Sequence, residues 1–402
     1  MENKTTEANP TYTLRQLVLY FLQLGYSGFG GPVALVGYMH RDLVEKRKWI
    51  TEEEYKEGLT LAQLAPGPMA AQLGIYLGFV HYGAMGATLV GFAFVLPSFL
   101  MVLALGILYK MFNGLPWMQA VFYGVGAAVI GIIIVSSYRL TTKSVGPITR
   151  DSFKKNWILW IFYLTTLIIT FVSQTEVLLL FIAAGVIYMF IKSPPAWAKT
   201  NVVKSMVLLT TSDIGFWNYD GKTLGQMAWF FTKAGAFVFG SGLAIIPFLH
   251  GAVKQFGVTE HEFLDSVAVA MITPGPVVIT VGFMGYLIAG FVGACVAAAA
   301  TFLPCYLCTI IPAPYFRKYA KNTSIKAFVD GITAAVIGAL TGAVIIITVN
   351  TFTQNHTVTL DIPSVMIAGA TILVLLFARK TQEPYIILVA AIIGVVLKLV
   401  IQ

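Results

Sequence analysis

Two short elements carry most of the chemistry this sequence offers. Pro66-Gly67-Pro68 follows Ala65, and Pro274-Gly275-Pro276 follows Thr273, each within apolar sequence. Proline inside a helix removes an N–H and clashes with the preceding turn, while glycine loosens the backbone. Proline is also at home at the first position of a new helix. Pro68 and Pro276 are therefore expected to open half-helices after a break. Their first N–H groups, on Met69, Ala70 and Ala71 and on Val277, Val278 and Ile279, would lack intrahelical acceptors. Each such end carries roughly +0.5 charge, so two that converge would offer an anion about one positive unit. A second break, Gly28-Phe29-Gly30-Gly31-Pro32, is matched by Phe239-Gly240-Ser241-Gly242. The candidate anion-binding residues are thus Gly30, Gly31, Pro32, Pro66, Gly67, Pro68, Met69 and Ala70, with Gly240, Ser241, Gly242, Thr273, Pro274, Gly275, Pro276 and Val277. The plainer reading is that these residues only kink helices for close packing.

Charged groups within the apolar stretches are few, which makes each informative. Lys233 lies two residues before Gly235, where the first half of the chain has Gln23. It is the candidate fixed cation beside the anion, or else a helix-end lysine reaching the interface. Arg41, Glu57, Asp265 and Asp330 are candidates for charge or proton coupling, with interfacial placement the competing reading. His40 and His250 occupy matching positions and could titrate near neutral pH. Cys295, Cys305 and Cys308 all lie in apolar sequence, and the Cys305-x-x-Cys308 spacing has no second pair, so buried thiols are expected. There is no HExxH, no GxSxG, no paired intramembrane Asp motif and no GxxxxGK[ST]. Neither an enzyme, a metal site, a cofactor site nor a built-in ATPase is expected.

The elements that would position these residues follow from composition. Of 402 residues, 57% are hydrophobic and 11% charged, which excludes ordinary soluble domains. The net charge of +8 sits in short loops rather than in a stripe along a polar helix, so nucleic acid is not an expected partner. The N-terminus has no n-region followed by a cleavable apolar region. A bilayer core of about 30 Å asks for roughly 20 apolar residues per helix. Suitable stretches run near Leu14–Met39, Leu59–Val80, Ala84–Tyr109, Met118–Tyr138, Trp157–Val172 and Val177–Ile191. A second set runs near Met227–Leu249, Leu264–Ile288, Phe291–Ile311, Phe328–Val349, Pro363–Phe377 and Pro384–Val400.

The two sets are copies. Gly25 and Phe29-Gly30 match Gly235 and Phe239-Gly240 at an offset of 210, and the Pro-Gly-Pro elements match at 208. Leu96-Pro97 matches Leu303-Pro304 at 207, as do Gly124 with Gly331 and Gly131 with Gly338. Residues 1–192 and 226–402 are expected to be repeats joined by a polar linker, 193–225. Loop charge then sets their orientation. Arg41–Lys56 and Arg139–Lys155 each hold five Lys/Arg, whereas the second-half counterparts near Lys254 and at Asn350–Ile362 hold one and none. The segment after Ile311 instead holds four: Arg317, Lys318, Lys321 and Lys326. Positive-inside logic places the halves in opposite orientations. An all-α polytopic fold with an inverted repeat results, about five crossings plus one re-entrant Pro-Gly-Pro hairpin in each half. Discontinuous helices at paired positions of such repeats point to a midplane substrate site.

GYSGFGGPVAL, RDLVEKRKWITEEEY and LAQLAPGPMAAQLGIYLG, with FVFGSGLAIIP and MITPGPVVIT in the second half, resemble the chromate ion transporter family in its two-domain form. The resemblance spans nearly the whole chain. It implies a multi-pass plasma-membrane carrier of chromate, usually an efflux protein conferring resistance, with antiparallel halves and with sulfate as the related tetrahedral dianion. Gly240-Ser241-Gly242 stands where the first half has Gly30-Gly31-Pro32, so the half-sites need not be equal. Secondary active transport of chromate is the leading expectation. A sulfate permease and an anion channel are the rivals. The expected partners are chromate or sulfate and the lipid bilayer, with a homodimer left open.

Overall fold

The computed structural model describes residues 11–29, 31–112, 115–173, 178–194, 221–240, 242–315, 322–352, 361–378 and 381–401. Gly30, Ser241, most of the 193–225 linker and the basic residues Arg317, Lys318 and Lys321 lie outside the described residues. The first half comprises α1 (Leu14–Ser27), α2 (Gly31–Met39, continued by a π-helical turn His40–Lys46), α3 (Glu52–Leu64), a two-residue strand β1 (Gly67–Pro68), α4 (Met69–Phe112), α5 (Pro116–Ser144), α6 (Arg150–Lys155), α7 (Trp157–Ser173) and α8 (Leu178–Lys192). The second half follows a similar helix order, with its strand and short turns placed differently. It runs through α9 (Gly221–Ala236), β2 (Phe239–Gly240), a 3-10 turn Gly242–Ile245, α10 (Ile246–Phe256), α11 (Glu260–Ile272), a 3-10 turn Val277–Ile279 and α12 (Thr280–Ile310). It ends with α13 (Thr323–Phe352), α14 (Ile362–Phe377) and α15 (Glu383–Ile401). Among the described residues, four helical stretches are long and apolar enough to cross a membrane: Met69–Phe112, Pro116–Ser144, Val277–Tyr315 and Thr323–Phe352. Exposed Phe, Leu, Ile and Val side chains on α7, α8, α14 and α15 suit a lipid surround. The protein is a helical multi-pass membrane protein.

Local sequence explains where these helices start and bend. α3 and α11 both begin with a capping box: Thr51 pairs with Glu54, and Thr259 pairs with Glu262. Hydropathy placed these starts at Leu59 and Leu264, several residues late, because the capped first turns are polar. α4 opens at Met69, one residue after Pro68, which sits in β1 instead. α4 and α12 each reverse at a glycine with matching dihedrals, Gly83 (φ 57, ψ −153) and Gly290 (φ 63, ψ −152). A Cβ on Gly78 would lie 2.5 Å from Gly86 O, and one on Gly285 would lie 2.5 Å from Gly293 O, so each turn is a tight helical hairpin. Ala84–Tyr109 and Phe291–Ile311 thus hold as separate apolar spans, although each joins the preceding arm without a loop.

The arms flanking the first Pro-Gly-Pro element run antiparallel. Tyr76 Oη donates to Glu57 Oε2 at 3.2 Å, and His81 Nε2 lies 3.1 Å from Glu54 Oε1. A Cβ on Gly58 would meet the rings and methyls of Tyr76 and Leu73. The chain therefore goes in along α3, turns at residues 65–68 and comes back along the first arm of α4.

Packing exchanges the ends of the halves. α13 of the second half packs against α7 and α8 of the first, while α5 of the first packs against α14 and α15 of the second. Helices meet in membranes through small residues that let backbones approach and through shared hydroxyls. Gly124 abuts Ala390 and Gly394, and its counterpart Gly331 abuts Ala184 and Gly185. Gly131 packs on Ala368 and Thr371, while Gly338 packs on Tyr163 and Thr166. Thr166 Oγ1 donates to Ala335 O at 2.7 Å, and Ser137 Oγ lies 2.9 Å from Thr341 Oγ1. Within each half, α1 lies on α4 and α9 on α12, and α4 and α12 meet at the centre.

Candidate functional site

The two Pro-Gly-Pro elements dock onto the opposite half's broken helix. β1 pairs in parallel with β2, in the register Gly67 with Phe239 and Pro68 with Gly240, and Gly67 N–H donates to Val238 O. The equivalent bond in the other direction is present: Gly275 N–H donates to Gly28 O at 2.9 Å. Gly28 and Val238 are repeat counterparts, as are Gly67 and Gly275, so the contact is reciprocal, as in an isologous interface. Each glycine has a backbone conformation that side-chain-bearing residues rarely adopt, φ +139 at Gly67 and +101 at Gly275.

Neighbours of these glycines are also exchanged between the halves. A Cβ on Gly67 would lie 2.9 Å from Cys305 Cβ and Sγ and 2.9 Å from Gln72 Nε2. A Cβ on Gly275 would run into Ser98 Oγ, with Ser98 Cβ at 3.1 Å. Ser98 and Cys305 are counterparts too, each directly after the kinking proline of its span, Pro97 or Pro304. Both are fully buried. The two-fold pattern of Pro-Ser and Pro-Cys was a signal present in the sequence; Gln72, Ser98 and Cys305 were nonetheless missed as candidates. All three cysteines are free, but of the buried thiols expected only Cys305 is buried, whereas Cys295 and Cys308 are partly exposed on the apolar helix α12.

The second broken segment touches both Pro-Gly-Pro elements. Gly240 pairs with Pro68, and a Cβ on Gly242 would lie 3.4 Å from Val277 Cβ and from Val278 Cγ2. Pro66, Gly67, Pro68, Gly240, Gly242 and Val277 are therefore gathered in one place, with Met69 and Ala70 buried in the first turn of α4. Thr273 caps the end of α11, and Pro274, Gly275 and Pro276 link it to the turn at Val277. No side chain caps that three-residue turn, but Ile279 N–H, expected to lack an acceptor, donates to Pro276 O at 2.9 Å. Gly31 (φ +72) and Pro32 open α2 on the first-half side. Two buried helix starts beside tight backbone form a setting suited to an oxyanion.

Lys233 Nζ sits 5.5 Å from the centroid of the exposed Trp229 ring. His40, Arg41, Glu45, Glu52 and Lys56 line an open 550 Å³ cleft. There His40 lies 2.8 Å from Glu52 and 3.1 Å from Glu45, and Arg41 bonds Asp42 at 3.2 Å. The matching pair is His250 with Glu260 at 3.0 Å, and Asn350 also donates to Glu260 at 3.1 Å. The glutamate partners Glu52 and Glu260 had not been singled out. Asp265 is buried and accepts from Tyr109 Oη at 2.8 Å. With Glu260, Glu262, Asp361 and Lys398 it faces a 520 Å³ cleft that no Pro-Gly-Pro residue lines. Glu57 accepts from Tyr76, and Asp330 is partly buried on α13.

Comparison with known proteins identifies the family. The sequence model for the family described as Chromate transporter matches residues 15–189 and again 225–395. The chain is 59% identical over 392 residues to the Chromate transport protein of Cupriavidus metallidurans, covering 96% of this chain and 94% of that protein. It is 55% identical over 394 residues to the Probable chromate transport protein of Synechococcus elongatus, covering 96% of each. A Chromate transport protein of Pseudomonas aeruginosa is 28% identical over 402 residues, covering 96% of this chain and 93% of that one. No solved structure matches. With the family pattern present twice and close relatives matched from end to end, the chain belongs to the chromate transporter family.

Proposed function

We propose that the protein is a secondary carrier that moves chromate across the plasma membrane, in the outward direction and without ATP hydrolysis. The observation that carries this reading is the reciprocal docking at Gly67 and Gly275, which gathers two buried helix starts and a glycine-broken segment at the junction of the two halves. In this reading the halves, 1–192 and 226–402, have opposite orientations in the bilayer. The antiparallel arms around each Pro-Gly-Pro element are re-entrant, and chromate binds the backbone of residues 66–70, 240–242 and 273–277, with Lys233 as the supplementary cation. Alternating access would part and close the halves around that point. Asp265, the two His–Glu pairs, Glu57 and Asp330 are the groups available to couple flux to protons, with Arg41 as a fixed charge.

Everted membrane vesicles test the proposal. Labelled chromate should accumulate in them, saturate with concentration, and respond to an imposed pH gradient or voltage. Non-saturating flux that ignores both gradients would assign a channel; sulfate uptake in preference to chromate would assign a sulfate permease.

A further inference from the structure

The 520 Å³ cleft beside α11 holds a buried carboxylate whose charge nothing balances. Asp265 lines the cleft and is 5% exposed. Its Oδ2 accepts from Tyr109 Oη at 2.8 Å, and among the described residues it makes no ion pair. The other carboxylates of the cleft are engaged. Glu260 is held by His250 at 3.0 Å and by Asn350 at 3.1 Å, and Glu262 closes the capping box of α11. Asp361 accepts from Tyr123 Oη and from Ser364 Oγ, each at 2.7 Å. The cations nearby are turned to other partners or to solvent. Lys398 Nζ lies 6.0 Å from the centroid of the Tyr123 ring, Lys110 Nζ lies 3.5 Å from Leu287 O, and His261 and Lys254 are exposed. Burying a carboxylate without a cation is costly, and a proton is the smallest cation that can balance it. Ionisable groups kept inside a membrane protein mark ion paths and proton relays.

The cleft is reached from one face. It is lined by the starts of α5, α11 and α14 and by the ends of α13 and α15. The segments at these ends are poor in basic residues: Lys110–Pro116 holds one, as does the stretch near Lys254, and Asn350–Ile362 holds none. In the orientation proposed above, this face is the exterior. Asp265 is also tied to the other half of the protein. Tyr109 stands near the end of α4, packed on Phe122 and Phe283. Eleven residues earlier the same helix carries Ser98, which meets Gly275. The second-half arm is therefore fastened to α4 at two points roughly 16 Å apart, Asp265 on Tyr109 and Gly275 on Ser98. The repeat counterpart is built differently. Glu57 is only partly buried, and the tyrosine that donates to it, Tyr76, belongs to its own half.

We infer that Asp265 carries the coupled proton: it is loaded from the exterior through this cleft, and loading loosens α11 from α4. The inference rests on the carrier reading given above. While ionised, the carboxylate accepts a charge-assisted bond from Tyr109; once protonated it is neutral, and the bond falls to roughly half its strength. The contact that weakens joins the two halves that alternating access has to part. α11 runs from Asp265 straight into the second Pro-Gly-Pro element, so the change reaches the anion without a shared site. Proton and anion occupy separate places and do not compete. Protons that enter down their gradient then drive chromate outward.

The test uses the purified full-length protein in liposomes, with potassium and valinomycin holding the voltage at zero and a pH-sensitive dye in the lumen. With one proton exchanged per anion, a lumen about one pH unit more acid than the bath should hold labelled chromate about tenfold above the bath. Chromate entry should be accompanied by proton exit. Asp265→Asn keeps an acceptor for Tyr109 but cannot take up a proton. It should lose the tenfold accumulation and the proton movement, yet still exchange labelled for unlabelled chromate at equal pH. Accumulation that survives in this variant, or a folded variant that loses exchange as well, overturns the role of Asp265. If the asparagine variant does not fold, Tyr109→Phe takes its place. It keeps the carboxylate but breaks the link, so accumulation should fall while exchange persists, and undiminished accumulation overturns the link. A cysteine replacing the exposed Gln119 at the cleft should be labelled from outside intact cells. Labelling from the cytoplasmic side alone overturns the exterior route. Wild-type protein with saturable chromate exchange but no proton movement overturns the inference, whereas wild-type protein with no saturable chromate flux overturns the carrier reading instead.

Discussion

Gly275→Ala is the sharpest probe of the reciprocal docking, because its cost divides into two parts that can be measured separately. The first is backbone strain. Gly275 has φ +101, and holding a side-chain-bearing residue in such a region costs on the order of 1–3 kcal/mol. The second is overpacking against the other half. The new Cβ would run into Ser98 Oγ, with Ser98 Cβ at 3.1 Å and Gly25 O at 3.4 Å. Rotating the serine moves Oγ but leaves its Cβ in place. It also gives up the 3.3 Å hydrogen bond from Ser98 Oγ to Gly25 O, worth about 1 kcal/mol. Overpacking of this kind costs about 1–3 kcal/mol, so the single substitution should cost about 2–6 kcal/mol in all. Ser98→Gly removes both offending atoms and should return the overpacking part while leaving the strain. The double variant should therefore be more stable than additivity predicts by about 1–3 kcal/mol, roughly 5- to 150-fold in the folding equilibrium. Denaturant unfolding of the four proteins in one detergent, followed by intrinsic fluorescence, measures this coupling. Agreement with additivity within about 0.5 kcal/mol would mean that Ser98 and Gly275 do not touch, and the docking of the second Pro-Gly-Pro element on the first half would fall with it.

Three further outcomes are expected. Cysteines introduced singly near Lys46–Lys48 and near Arg317–Lys321, in a background lacking Cys295, Cys305 and Cys308, should be labelled from the same side of intact cells; opposite sides would remove the inverted repeat. Lys233→Gln, which copies Gln23 of the first half, should weaken chromate uptake while Lys233→Arg keeps part of it, with Arg41→Gln run alongside. Wild-type uptake in Lys233→Gln retires the lysine and leaves the helix starts as the main attraction. Thr259→Ala removes the cap of α11 and should lower unfolding stability by about 1 kcal/mol, and a change below a few tenths would show that this capping box does not hold the arm in place.

What could be read from the sequence follows the range of the interactions. Prolines and glycines act on their own backbone, so the breaks at 65–68 and 273–276 and the repeat offsets were legible, although Pro68 and Pro276, expected to open the helices, stand just before α4 and α12 instead. Apolar runs found α7, α8, α14 and α15 to within a residue or two, because nothing but lipid or helix surrounds them. The capped starts of α3 and α11 were placed late because Thr51-Glu54 and Thr259-Glu262 are polar, although the capping-box spacing was there to be used. The docking of Gly67 on Val238 and of Gly275 on Gly28 was not legible, since no local pattern names a partner some 170–250 residues away. Gln72 was hidden for a related reason, since nothing local shows that its amide reaches Pro66 O.

The exchanged packing of α7 and α8 bears on how the chain is made. Their partner α13 begins at Thr323, whereas α8 ends at Lys192. At roughly 5–20 residues per second, the ribosome delivers that partner on the order of ten seconds after α8 is complete. Through that interval the first half sits in the bilayer with Ala184, Gly185, Tyr163 and Thr166 unmatched, and the membrane-insertion machinery has to hold the pair apart from other proteins. By the same logic a chain cut between the repeats would give two fragments that each lack what the other carries. Co-expressed, they should find one another and assemble; made alone, either fragment is a natural substrate for membrane quality-control proteases.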